Sequence, residues 1–592
     1  MGIDQRVFHR VLIANRGEIA LRVIRACREM GIEAVAVYGE GDEDALHVRA
    51  ADDAYRLPSA SPGLPYLNIP ALVEIAQRAR ADAVHPGYGF LAENAGFATA
   101  CAGAGLVFVG PSPEAIKAMG DKVEARRIAI TAGVPVTPGS DGAVSGPDEI
   151  RAWAAGHGYP VAVKASAGGG GRGFRVARSA ADVAGAFTGS SGEAARYFGD
   201  ASVYVERYFP RPRHIEIQVF GDSFGVVAAL GERDCSVQRR HQKLIEETPS
   251  PALTADTRAA LFEASIALSK RVNYSGAGTI EYLLDEDGRF YFLEMNTRIQ
   301  VEHTVTEEVT GIDLVREQLS VAAGNPLSFT QASVAPRGHA IQVRLNAEDP
   351  GRDFAPGPGR ISKLRFPDGF GVRVDAAVEE GLTISPRYDS MIAKLIVWGR
   401  DRPEAIARMR RALDDTIVEG VPTTIPFHKL VMSEPEFVTH GATTAYLLEH
   451  PELIPPAQPG PAADDKADVE RRSILVEVND RRFRINLPRD LSGGVGTATN
   501  DGAAKGTRKG SARDKQARHA DHAELLSPIQ GVVVRVAVAN GQRVARGELV
   551  CVVEAMKMEN EIAAHRDGVI SGLVIAAGET VKIGAHLVSI EA

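Results

Sequence analysis

Three stretches of this sequence combine residue types that do chemistry. In TRIQVEH (297–303), alternation puts Arg298, Gln300 and Glu302 on one side of an extended segment, with Ile299 and Val301 on the other. A guanidinium, an amide and a carboxylate converging there suit a small planar anion that carries an acidic proton. GTIEYLL and RFYFLEMN flank the turn Asp285–Gly288. A regular hairpin sets Glu281 opposite position 292 and makes Glu294 its diagonal neighbour on the same face. Two carboxylates on one face of apolar strands are costly unless a cation joins them. In KASAGGGGRGF, the run Gly168, Gly169, Gly170, Gly171 follows Lys164 at a strand end. Consecutive glycines let backbone N–H groups converge on a phosphate without Cβ clashes. Flexible linkers share such runs, so the glycines alone are weak evidence.

A fourth stretch, EAMKMEN (554–560), holds Lys557 between two methionines. It lies where one half of an internal repeat ends. GVVVRVAVANGQRVARGELVCVVEA (531–555) matches GVISGLVIAAGETVKIGAHLVSIEA (568–592) at a constant offset of 37. Each half alternates apolar residues with turn glycines and has too little core to stand alone, so two copies must bury one face against the other as a small two-fold β-sandwich. The connection between repeats runs over the surface of so small a domain, which exposes Lys557 on a tight hairpin.

The elements that position these residues follow from periodicity. HRVLIA is a buried strand, NRGEIALRVIRACREM has helical apolar spacing, and GIEAVAVY is a second strand. The alternation continues through HPGYGFLAEN and GLVFVGPS, so the first ~115 residues read as a doubly wound α/β domain. Strand-like segments dominate 203–300, and mixed strands and helices run to about 450. PELIPPAQPGPAADDKAD is a Pro/Ala/Asp linker, SILVEVNDRRFRINLP (473–488) a small hairpin around Asn479-Asp480, and 495–523 a flexible polar stretch.

Composition narrows the class. With 592 residues, 44% apolar and 24% charged, the chain is an ordinary soluble protein of several domains. A net charge of −9 argues against nucleic acid and anionic membranes as partners. The basic residues between 505 and 518 lack interleaved aromatics and fit a solvated linker. Cys27, Cys101, Cys235 and Cys551 form no CxxC and fit neither a disulfide framework nor a zinc site. No signal sequence, membrane span or myristoylation pattern is legible, so a cytoplasmic location is expected.

AMKM at the crossing of a two-fold β-domain resembles the biotin-attachment site of biotin carboxyl carrier domains. Lipoyl domains share that fold but flank their lysine with Asp and Ala. ANRGEIA, HPGYGFLAEN, MGDK, KASAGGGGRG, ERDCSVQRRHQK, EMNTRIQVEH and NAEDP independently resemble biotin carboxylase, an ATP-grasp enzyme, over residues 7–450. Together the two parts resemble the α subunit of a bacterial acyl-CoA carboxylase. The resemblance implies an α/β fold with five parts: a doubly wound domain (1–120), an ATP-grasp domain (121–330), a mixed carboxylase C-terminal domain (331–450), a linker with the hairpin (451–523) and a biotinyl domain (524–592).

The resemblance also implies roles. Lys122 and Lys164 would serve the nucleotide phosphates. Glu206, Arg207, Tyr208 and Phe209 would lie on the adenine and ribose side, with His214, Gln238 and His241 also in the nucleotide site. Glu281, Glu294 and Asn296 would bind Mg²⁺ (or Mn²⁺) bridging ATP phosphates. Arg298, Gln300, the backbone of Val301 and Lys243 would hold bicarbonate and the transferring phosphoryl group, with Glu302 as general base. Arg344 would stabilise the biotin enolate, and Tyr88 would lie beside biotin. Lys557 would carry biotin, attached by a separate biotin protein ligase. Carboxybiotin, formed through carboxyphosphate, would pass to a separate carboxyltransferase β subunit within a larger complex in which this chain is a homo-oligomer. Thr304 stands where many relatives have proline, a departure expected to be neutral.

The sequence leaves three rival readings: another ATP-grasp ligase, a two-subunit pyruvate carboxylase, and a non-catalytic biotinylated carrier of CO₂. The first has no use for AMKM, and the last requires a degraded ATP site.

Overall fold

The computed structural model describes residues 7–58, 65–166, 173–458, 471–478, 481–488, 523–527, 531–555, 558–581 and 584–591. The glycine run 168–171, the segment 489–522, Asn479-Asp480 and Lys557 lie outside them. The chain divides into two compact units, residues 1–385 with 390–458, and residues 386–389 with 459–592.

In the first unit, the N-terminal sheet is parallel and five-stranded. Its strands are Arg10–Ile13, Glu33–Tyr38, Asp53–Arg56, Ala83–His85 and Val107–Phe108, lying side by side in the order third, second, first, fourth, fifth. This is the doubly wound arrangement read from the alternating pattern. Helix Gly17–Glu29 follows the first strand and packs Ile19, Ala20, Val23, Ile24 and Cys27 onto Val11, Ile13 and Ala34. Its turn from the strand needs Gly17, whose φ of +68° is strained for side-chain-bearing residues.

A three-stranded antiparallel sheet follows, with Val161–Ala165 between Phe174–Ala177 and Val203–Arg207. The largest sheet is antiparallel and eight-stranded. Its strands run in the order Phe290–Asn296, Gly276–Leu284, Arg213–Gly221, Val227–Arg239, Gln242–Thr248, His339–Asn346, Met391–Gly399 and Val372–Ala376. One face is apolar: Ile215, Ile217, Val219, Ile280, Tyr282 and Phe292 join Leu261 and Leu268 of helix Ala255–Arg271 in a buried core. Each such side chain contributes roughly 1.5–3 kcal/mol by leaving water. Because side chains alternate along a strand, His214, Glu216 and Gln218 are sent to the opposite face. That face carries the polar site.

In the second unit, two four-stranded sheets face each other across a core that includes Val533, Val550, Val553, Ile570, Leu587 and Ile590. The 37-residue offset maps strand onto strand: Gly531–Val536 onto Gly568–Ser571, Arg543–Val544 onto Thr580–Val581, and Leu549–Ala555 onto His586–Glu591. The short strand of each repeat pairs into the other repeat's sheet: Thr580–Val581 beside Gly531–Val536, and Arg543–Val544 beside Gly568–Ser571. Strands Leu549–Ala555 and Met558–Ala563 pair antiparallel up to Ala555↔Met558, so they bracket positions 556–557. Strands Arg471–Val478 and Arg481–Pro488 pair from Arg471↔Pro488 to Val478↔Arg481.

Among the described residues no helix is long and apolar enough to cross a membrane. The four cysteines are buried and unpaired.

Candidate active site

The polar face of the eight-stranded sheet carries one continuous rung. Glu294 is opposite Glu281, Glu281 is opposite Glu216, and Glu216 is opposite Arg233. The register expected for the first pair is corrected here. Tyr282 pairs with Phe292 while Glu281 pairs with Glu294, so Leu293 is an extra residue in its strand. A bulge of this kind sets two residues against one and re-aims the next side chain. The turn is also one residue longer than expected, since Leu284 pairs with Phe290, and the two shifts together set the carboxylates directly opposite each other rather than diagonally.

Adjacent buried carboxylates repel and lose hydration, so the rung stands only with cations. Lys243, from strand Gln242–Thr248, donates to Glu216 Oε2 at 2.5 Å, Glu281 Oε1 at 2.9 Å and Glu302 Oε1 at 2.6 Å. Burial opposes the charge on this ammonium, yet the three carboxylates push its pKa well above the ordinary lysine value. Arg233 is fully buried and spends its fork on Glu216, Gln218 (2.7 Å), Thr306 (3.0 Å), Thr279 (3.0 Å) and Gln300 (3.1 Å). Burial raises the Glu281 carboxyl, but Lys243 and His214 outweigh it and hold it well below the usual range.

TRIQVEH also departs from the expected form. The extended segment stops before Val301, which is in a turn with Glu302, and Glu302 is the N-cap of helix His303–Thr310 with φ −84° and ψ 8°. The helix start overrides the two-residue period, so partners rather than alternation gather the side chains. Arg298 donates to Glu93 at 2.8 Å and to Asn296 Oδ1 at 2.9 Å. Gln300 Nε2 donates to Glu281 at 3.0 Å. Glu302 accepts from Lys243 and, at 3.1 Å, from Arg344, which also donates to Glu246 at 2.6 Å. Burial raises the Glu302 carboxyl, while Lys243, Arg344 and Arg233 more than reverse this and keep it ionised. The Val301 carbonyl accepts from Lys394 at 3.1 Å, and the Tyr88 hydroxyl donates to Glu18.

The residues expected around the nucleotide share one neighbourhood. Lys164 Nζ meets Glu206 at 2.5 Å, with Arg126 3.5 Å from the same carboxylate. The Phe174 ring lies 5.8 Å from Lys164 Nζ, 5.4 Å from the His241 ring and 6.3 Å from the Tyr208 ring. Phe209 stacks on Tyr291 at 4.9 Å, beneath Arg207 at 5.3 Å. His214 contacts Gln238 at 2.9 Å and Glu281 Oε2 at 3.0 Å. Lys122 reaches Glu294 at 3.7 Å. Burial and then the charges of Lys164, His214 and Lys122 hold His241 below its ordinary pKa, which favours a neutral imidazole there.

The donor set at the end of the rung suits a divalent cation. Glu281 is buried and ionised, Glu294 faces it, and Asn296 contacts it at 3.0 Å. Two carboxylates and an amide offer only hard oxygen donors, which fits Mg²⁺ or Mn²⁺. A second grouping, His214, Glu216 and Glu281, brings its ligand atoms within 4.8 Å of one another.

Glu216, Arg233, Glu246, Glu93, Glu18 and Lys394 belong to this network and carry no expectation from sequence. Glu216 had a signal: in HIEIQVFG every second residue is polar at the start, and His214 is its neighbour on the same face. The others meet partners far away along the chain, and no local pattern marks them.

Comparison with known proteins identifies the domains. Residues 7–116 match the biotin carboxylase N-terminal domain, 121–330 the ATP-binding domain of the carbamoyl-phosphate synthase L chain, 342–449 the biotin carboxylase C-terminal domain, and 523–590 the domain of biotin-requiring enzymes. Fold and site thus define an ATP-grasp ligase that carries its own biotinyl domain. The chain is 46% identical over 591 residues to the biotin-dependent acyl-coenzyme A carboxylase alpha3 subunit of Mycobacterium leprae, covering 98% of each protein. It is 50% identical over 465 residues to a pyruvate carboxylase subunit from Methanothermobacter thermautotrophicus, covering 78% of this chain and 94% of that one. Among solved structures, it is similar to the biotin carboxylase domain dimer of Hydrogenobacter thermophilus 2-oxoglutarate carboxylase in complex with MgADP, ADP and bicarbonate. That likeness has a TM-score of 0.75 at 46% identity and covers 76% of this chain and 100% of that one. The chain belongs to the biotin carboxylase family, with a biotin-carrying domain in the same polypeptide.

Proposed function

We propose that this chain is the α subunit of an acyl-CoA carboxylase: it carboxylates biotin on its own carrier domain and supplies a separate carboxyltransferase. The observation that carries this reading is the full-length match to the mycobacterial α3 subunit, which spans both the carboxylase part and the biotinyl domain. The pyruvate carboxylase alternative is weaker, because that relative aligns with 78% of this chain.

In this reading, Lys122, Lys164 and the Gly168–Gly171 loop bind the ATP phosphates, with Glu206 to Phe209, His214, Gln238 and His241 around the nucleotide. Glu281, Glu294 and Asn296 would hold Mg²⁺ or Mn²⁺, which neutralises phosphate charge when bound. Arg298, Gln300 and the Val301 backbone orient bicarbonate so that Glu302 takes its proton. The freed oxygen attacks the γ-phosphorus, the bond to ADP breaks, and Lys243 stabilises the charge on the transferring group. Carboxyphosphate divides into CO₂ and phosphate. Biotin, when bound, would supply its ureido N1 as the acceptor of CO₂, with the phosphate to take the N1 proton, Arg344 to stabilise the negative charge that this leaves and Tyr88 beside the ring. Lys557 carries the biotin after modification by a ligase, and the paired strands Arg471–Val478 and Arg481–Pro488 are the candidate contact with the carboxyltransferase. A cytoplasmic, homo-oligomeric assembly completes the reading.

Two assays test it. Glu302→Gln should cut bicarbonate-dependent ATP cleavage with free biotin by at least ~10²-fold and leave ATP binding unchanged; turnover near the parent rate would remove Glu302 as the base. The biotinylated chain, mixed with the carboxyltransferase that co-purifies with it, should carboxylate acetyl-CoA or propionyl-CoA. Activity on pyruvate alone would select the alternative.

A further inference from the structure

Lys394 is a lysine with a fully buried side chain on strand Met391–Gly399, and the reaction described above does not use it. Its ammonium lies 3.1 Å from Glu18 Oε1, 3.8 Å from Asp375 Oδ2 and 5.9 Å from the centre of the Tyr88 ring, and it donates to the Val301 carbonyl at 3.1 Å. Glu18, in the first turn of helix Gly17–Glu29, accepts the Tyr88 hydroxyl through Oε1. One cation thus touches the turn that presents Glu302, and through Glu18 the aromatic ring placed beside biotin.

A buried lysine loses hydration and rotamer freedom, so it persists for a reason. Charge balance is the plain one, and two observations weigh against it. Asp375 already has a counter-ion, since Arg373 grips it with two bonds of 2.9 Å. Glu18 is not well compensated either: burial pushes its carboxyl up to about 7 despite the attraction of Lys394. The remaining contact, with the Val301 carbonyl, has a direct geometric effect. A trans peptide is planar, so fixing the direction of the Val301 C=O also fixes the Glu302 N–H and Cα. Lys394 then holds the backbone of this turn, while Lys243 and Arg344 hold the Glu302 side chain.

We propose that Lys394 is a positioning residue for biotin carboxylation: it anchors the Val301–Glu302 peptide and, through Glu18, the Tyr88 ring. The proposal rests on the reading of Glu302 as base and Tyr88 as biotin neighbour.

The test uses the full chain and free biotin. Lys394→Met alone leaves Glu18 buried and uncompensated and is expected to lower thermal stability. The double variant Glu18→Gln/Lys394→Met removes one charge of each sign and should regain the parent melting temperature. If Lys394 positions the turn, the double variant keeps the parent KM for ATP, loses at least ~10-fold in kcat and shows a raised KM for biotin. Recovery of both stability and parent kcat would overturn the proposal, leaving Lys394 as a counter-ion. A double variant that fails to fold would also overturn it, because the lysine would then be structural. Glu302→Gln, assayed in parallel, separates the two readings: near-parent turnover there removes the base assignment, whatever the Lys394 variants do.

Discussion

Glu281 stands directly between Glu294 and Glu216, its partners on the two neighbouring strands. Directly opposed residues have Cβ atoms about 4.5–5.5 Å apart, so three carboxylates share a strip one residue wide. Lys243 bonds two of them and reaches Glu302 as well.

Lys243→Met should therefore remove more than a phosphate-binding charge. With Glu216, Glu281 and Glu302 left without their common cation, we expect a loss of about 3–5 kcal/mol in the stability of the carboxylase unit and no bicarbonate-dependent ATP cleavage. Denaturant titration measures the first effect. A variant as stable as the parent would show that these carboxylates take up protons instead.

Glu247 gives a pH prediction. Burial raises its carboxyl, but the hydrogen bond from His339 (2.9 Å) and the ion pair with Arg402 (2.6 Å) outweigh this and bring it down to about 2 from an ordinary 4.5. A carboxyl that is more acidic when folded stabilises the fold fully above its unfolded pKa, and this contribution fades as pH falls through the folded value. The shift corresponds to about 3 kcal/mol. Glu247→Gln should cost roughly that much at pH 7, and the gap between variant and parent should close between pH 4.5 and 2. A gap independent of pH would mean the loss is steric.

Two glycines in the biotinyl domain should respond alike. A Cβ on Gly531 would sit 2.2 Å from the Glu554 carbonyl oxygen, and one on Gly568 would sit 2.2 Å from that of Glu591. Gly531→Ala and Gly568→Ala should each destabilise this domain by about 1–3 kcal/mol, the usual cost of overpacking. Calorimetry of the full chain, read at the transition of this domain, checks this, and clearly unequal losses would show that the two repeats pack differently.

Lys557→Arg should abolish avidin binding and spare free-biotin carboxylation, because the ATP-binding domain, residues 121–330, lies in the other unit. Residual avidin binding would place biotin elsewhere.

Local periodicity made some of this legible. The strand–helix alternation of residues 9–39 pointed to the parallel sheet, and the 37-residue offset to the paired sheets of the biotinyl domain. It also put Glu281 and Glu294 on one face, although a turn one residue longer than expected and the bulge at Leu293, one position each, moved the partner of Glu281 from 292 to 294. Three features were hidden. The turn at Val301 follows from the helix start at His303, which outweighs alternation. The Lys243–Glu302 contact spans 59 residues and exists only because the sheet and that helix meet. Thr304, expected to be neutral, donates its hydroxyl to Gln342, which in turn donates to Glu246 beside Arg344 at 3.0 Å. A buried hydroxyl acquires a partner only from the tertiary structure.

The exchange of the short strands Arg543–Val544 and Thr580–Val581 has a consequence for how the biotinyl domain arose and how it holds together. Each sheet is completed by a strand from the other repeat, so a solitary repeat could satisfy its edge only by trading strands with a twin, as domain-swapped pairs do. Joining two repeats in one polypeptide turns that encounter into an event within a single molecule. Dilution cannot then separate the halves, and the domain holds its shape at any protein concentration.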